Sequence, residues 1–87
     1  MSALDDLVST LQAAVSSAES AYADGVSAER SAGEAVQAAT VFGRADDVAR
    51  VDALRSALES NNATLANAQK TYEELLEQAV ALQGGGG

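Results

Sequence analysis

Cysteine, proline, histidine and tryptophan are all absent from this chain. Without cysteine there is neither a disulfide framework nor a thiolate metal site to support a thin core. Without histidine or cysteine, a catalytic centre would have to be assembled from carboxylates, hydroxyls, arginine or the lone Lys70, and these fall into no recognisable constellation. Adjacent acids at Asp5-Asp6, Asp46-Asp47 and Glu73-Glu74 do not make catalytic pairs, because neighbours one apart on a helix do not face each other. The glycine and glutamate spacing of a calcium loop is missing as well. The expectation is a protein that is not an enzyme and takes no cofactor and no metal.

Positive charge is scarce, with five Lys and Arg against thirteen Asp and Glu and a formal net charge of −8. That balance repels a phosphate backbone, so nucleic acid is not expected as a partner. Long apolar runs are missing too. Stretches such as Leu11 to Val15 stop far short of the roughly 20 residues a bilayer span requires, and no transmembrane segment is expected. The first residues carry Asp5 and Asp6 rather than a basic region followed by an apolar one, which is not a general secretory signal. The expected location is therefore either outside the cell by a signal-peptide-independent route, or the cytoplasm.

What the chain does have is alanine, serine, leucine and glutamate, a palette that favours helix over strand. From Leu4 onward, mostly apolar or small residues recur at alternating steps of four and three: Leu4, Val8, Leu11, Val15, Ala18, Tyr22, Gly25, Glu29, Ala32, Val36 and Ala39. This is a heptad seam with one larger column and one that turns small after Leu11, and small columns let helix backbones approach closely. The second half repeats the pattern with Val51, Leu54, Leu58, Asn61, Leu65, Ala68, Tyr72, Leu75, Ala79 and Leu82. Asp24-Gly25, followed by Ser27, is a place where the first helix could break to give a three-helix bundle. The heptad phase continues through it, so an unbroken helix is expected.

Between the two seams, Gly43 suits the left-handed position after a helix, and Asp46 or Asp47 suits the start of the next. Ser2 followed by Asp5 resembles a capping box at the outer end, and Gly84 follows the last seam residue as a stop. The expected organisation is a helix over 3–41, a turn over 42–45, a helix over 46–83 and a flexible glycine tail over 84–87. The fold class is all-α: an antiparallel, coiled-coil-like hairpin of two helices. Folding about Gly43 sets Val36 near Val51, Tyr22 near Leu65, Val15 near Tyr72 and Leu4 near Leu82. It brings Gly25 toward Asn61 and Asn62, and Glu29 toward Leu58 and Arg55, which predicts a Glu29–Arg55 ion pair. Asn61, a polar residue in an apolar column, is expected to fix register.

A hairpin of this size has little to bury on its own. A second stripe, Leu7, Ala14, Ala21, Ala28 and Ala35, lies beside the first seam, with Val48 and Leu76 flanking on the other helix. It is a candidate docking face, although alanines also serve as plain surface helix formers. Phe42, beside the turn, either caps the hairpin end or projects as an anchor for a partner. Two hairpins joined across the stripe would complete a four-helix bundle, so the expected partner is another helical protein, in a homodimer or a heterodimer.

At the turn, Val41-Phe42-Gly43-Arg44-Ala45 resembles the W-x-G-x-A-like pattern of the small WxG-type proteins exported by type VII secretion systems. Gly43 and Ala45 match, and Val41 stands where that family carries tryptophan. The family's export signal, a tyrosine followed four residues later by an acid, would map onto Tyr72, where the fourth residue is Leu76 and Glu77 comes one place late. The resemblance implies a helical hairpin that pairs into a four-helix bundle, acting as a type VII-like substrate or its pairing partner. The other reading is a cytoplasmic or phage-borne structural adaptor whose hairpin docks on a larger assembly.

Overall fold

A computed structural model describes residues 2–85. They form two α-helices, α1 (Ala3–Val41) and α2 (Ala45–Gly85), folded back on each other as an antiparallel hairpin. At 1.5 Å per residue, the 39 residues of α1 account for roughly 58 Å of the long dimension of 66 Å; the other two are 16 and 13 Å. The radius of gyration is 19.3 Å, against about 12 Å for a compact chain of this length.

Each end of α1 has a local cause. Ser2 is the N-cap: its Oγ accepts from the Asp5 backbone N–H at 3.1 Å, and Asp5 reaches back to the Ser2 N–H at 3.5 Å, closing a capping box. The helix then runs unbroken through Gly25 and Gly33, which gives a hairpin rather than a three-helix bundle. It ends in a Schellman turn. Gly43 takes a φ of 69°, its N–H bonds the Thr40 carbonyl at 3.1 Å, and the Arg44 N–H reaches back to Ala39 at 3.0 Å. Asp46 and Asp47 occupy the first turn of α2, where carboxylates complement the helix dipole. At the far end Gly84 and Gly85 continue α2 where a tail was expected from 84 onward, and the last two tail residues lie outside the described residues.

The interface is thin. Among the described residues only Val8, Ala18 and Ala79 of the apolar ones are buried, joined by one polar residue, Asn62. On α1 the shielded positions follow the seam read from the sequence, from Leu4 to Ala39, with Tyr22 at its edge. On α2 one column differs. Val51, Leu58, Leu65 and Ala79 turn inward as expected, but their companions are Val48, Arg55, Asn62, Gln69 and Leu76. Leu54, Asn61 and Leu75 stay exposed, as does Leu82. Of the other expected seam residues Ala68 is half-buried and Tyr72 exposed. Relative to the expected seam, one column of α2 has moved on by one residue while the other has stayed, so the helix is turned slightly toward Asn62.

Candidate interaction face

The rotation of α2 is explained by what lies opposite. Gly25 faces Asn62 so closely that a Cβ on Gly25 would overlap Asn62 Oδ1 and stand 3.0 Å from its Cγ. With that pair as origin, Gln69 comes level with Ala18, Arg55 with Ala32, and Val48 with Ala39. The small column of α1 thus makes room for longer side chains on α2. Asn62 is 4% exposed; its Nδ2 donates to Glu29 Oε1 at 3.0 Å, and its Oδ1 has no partner among the described residues. A second link between the helices joins the Gln83 amide to the Asp5 carboxylate at the open end. Together with the capping box, that bond holds the Asp5 carboxyl below its ordinary value, Gln83 being the larger cause.

The Glu29–Arg55 ion pair does not form. Arg55 bonds along its own helix, to Asp52 at 3.0 Å and Glu59 at 3.4 Å. Its guanidinium is held above its ordinary value chiefly by the Asp52 hydrogen bond and charge, with smaller contributions from Glu59 and then Glu29. The register position expected at Asn61 belongs to its neighbour: Asn61 is exposed and Asn62 carries the interhelical bond. Part of the signal was available in the sequence, because a glycine opposite two asparagines marks the close approach, but equal spacing about Gly43 points to Asn61, and the close contact is made by Asn62, one residue further on.

Apart from the Arg44–Asp47 ion pair beside the turn, at 3.7 Å, the polar side-chain contacts among the described residues sort to one side. Every side chain–side chain hydrogen bond among the described residues involves Asp5, Glu29, Asp52, Arg55, Glu59, Asn62, Gln69, Glu73 or Gln83. In the heptad frame these lie on the seam's Asn62 side. Going round α1, the stripe Leu7, Ala14, Ala21, Ala28 and Ala35 borders the small column. Going round α2, Leu54, Asn61, Ala68, Leu75 and Leu82 border the Val51–Leu58–Leu65 column. In an antiparallel pair these two borders fall on the same side, opposite the polar network.

Of the docking residues expected on α1, Leu7, Ala21, Ala28 and Ala35 are exposed and Ala14 is half-buried. Val48 and Leu76, expected beside that stripe, are half-buried and fall instead on the seam with Arg55 and Asn62. The exposed leucines of α2 are Leu54 at 62% and Leu82 at 64%, with Leu75 less so. Val80 is exposed on the polar side. At the turn, Val41 and Phe42 are 81% and 77% exposed, so Phe42 does not cover the hairpin end. Gly43 and Ala45 sit in the turn and at the first position of α2.

Among the described residues no group of three or more Asp, Glu, His or Cys comes together that could hold a metal ion. No helix among them is long and apolar enough to cross a membrane. The fold and its open side define a class, that of two-helix antiparallel hairpins with one uncovered apolar face. Comparison of the chain with protein-family models, with curated proteins and with solved structures gives no match.

Proposed function

We propose that this chain is a non-catalytic helical interaction protein that completes a four-helix bundle with another helical pair, in the manner of a small type VII secretion substrate or its pairing partner. The observation that carries this reading is the imbalance between core and surface. Among the described residues three apolar ones are buried, while Leu7, Leu54, Leu75 and Leu82 stay exposed on the open side. The accessible surface is 5968 Å², whereas a compact monomer of 8.8 kDa exposes about 4,800 Å². The excess, about 1,200 Å², is in the range that one member of a stable pair covers on association.

Light scattering across a concentration series, with helicity followed by circular dichroism on the same samples, tests the reading. The expected result is a helical species of at least two chains, whose helicity falls as it dissociates. A monomer that stays fully helical and melts cooperatively at every concentration would overturn the proposal.

A second reading, a structural adaptor that docks end-on upon a larger assembly, is favoured by the exposed Val41 and Phe42 at the turn. Changing Phe42→Ser leaves the lateral face untouched. Loss of function by that variant with unchanged solution mass would favour the adaptor.

A further inference from the structure

The geometry points to a second copy of this chain as the occupant of the open face, paired about a two-fold axis that runs along the hairpin, so that both turns lie at one end. This rests on the bundle-forming reading and names the partner and its orientation.

Three observations carry it. The first is shape. The face is built from a stripe of small residues on α1 and a stripe of larger ones on α2, the latter exposed at Leu54, Leu75 and Leu82. A two-fold axis along the hairpin lays α2 of each copy on α1 of the other, so Leu54 and Leu75 meet alanines of the facing stripe in both halves of the interface, while at the open end Leu82 lies against Leu7. A rotation carries no translation, so facing residues keep the levels they hold within one hairpin. Leu54 then meets Ala35 of the second copy, and Leu75 meets Ala14. The alternative two-fold, perpendicular to the helices, would set small on small and large on large.

The second observation is charge. The chain carries −8 overall, which opposes self-association, yet in the heptad frame the face and its rims contain only Asp24, Asp47 and Arg50. The remaining acids lie toward the polar side or the back of the hairpin. Two copies can therefore meet on this face without apposing their negative charge. The third observation is area: the whole chain exposes about 1,200 Å² more than a compact monomer of its mass, which leaves room for an interface of the size stable homodimers need, roughly 800 Å² or more per copy.

The test combines complementary charges with a distance. Ala35→Glu and Leu54→Lys, each alone, place an unpaired charge in the interface and are expected to weaken self-association at least about tenfold. Mixed in equal amounts, the two variants bring the introduced carboxylate and the introduced ammonium together at one contact and keep the native pair at the other, so dimerisation returns. In the otherwise native chain, spin labels on Arg44→Cys are expected on the order of 20 to 30 Å apart, given helix spacings of roughly 10 Å.

A dimer whose labels lie near the 66 Å long dimension apart, with no rescue on mixing, overturns this pairing and leaves the bundle-forming reading intact. A native chain that is monomeric throughout overturns self-pairing. In that case its helicity separates the two ideas, because a poorly helical monomer still calls for another helical partner and a fully helical one removes both.

Discussion

At the scale of single residues, two glycines inside the same helix have opposite roles. A Cβ added to Gly33 would meet nothing within 4 Å, whereas the same atom on Gly25 would overlap Asn62. Gly33→Ala is expected to stabilise the hairpin by roughly 0.5–1 kcal/mol, the ordinary gain from helix propensity. Gly25→Ala should instead cost about 1–3 kcal/mol, because Asn62 must move or the helices must separate. Urea denaturation of the two variants beside the native chain checks both the signs and the gap. Asp5 gives a second residue-scale prediction. Its carboxyl is held low in the folded chain by Gln83 and Ser2. The stability it contributes is therefore fully present above the unfolded value of about 3.9 and is lost as pH falls through the lower folded value. Titration of the Asp5 carboxyl by NMR should place its midpoint below the ordinary one, and Gln83→Ala should move it back upward.

At the scale of the elements, the two helices were not equally legible in the sequence. The seam of α1 could be read from Leu4 to Ala39 because its apolar and small residues form columns interrupted by a single charged residue, Glu29. The Schellman turn was visible in Gly43, and the cap in Ser2 and Asp5. For α2 the same method chose Leu54, Asn61 and Leu75 over Arg55, Asn62 and Gln69, because periodicity ranks columns by apolarity. That ranking assumes that the nearest helix receives the most apolar column. Here the small column of α1 receives the polar one, and the leucines are left outside. The Glu29–Arg55 pair failed for the same reason, since Arg55 finds Asp52 and Glu59 one turn away on its own helix. Exchanging neighbours exposes the distinction: Arg55→Leu is expected to raise the melting temperature of the hairpin, whereas Leu54→Arg should change the helicity of the dissociated chain little and reduce association. A thermal melt and a mass measurement on each variant check the pair of outcomes.

At the scale of the whole molecule, one long face carries all the side chain–side chain hydrogen bonds of the described residues, and the other is largely apolar, with the Arg44–Asp47 ion pair confined to its turn end. Under the proposed pairing the acidic residues of both copies remain on the outside of the bundle, where they repel one another across it. Raising ionic strength from about 0.05 M to about 0.5 M shortens the Debye length from roughly 14 Å to 4 Å and should tighten the dimer. Sedimentation equilibrium at the two salt concentrations measures this. Weaker association at high salt would mean that charge pairs, rather than the leucine and alanine stripes, hold the copies together.

The Gly25–Asn62 contact also acts as a ruler for the turn. Gly25 lies 18 residues before Gly43, and Asn62 lies 19 after it. Adding or removing a single residue between them would carry Asn62 off the glycine and onto a neighbour with a side chain. An insertion at the turn, which is usually among the most forgiving places in a chain, is here communicated down the helices to a layer some 27 Å away, at the usual rise of roughly 1.5 Å per residue. The length of the turn and the identity of two distant residues are therefore one joint constraint, and sequences that alter one must alter the other with it.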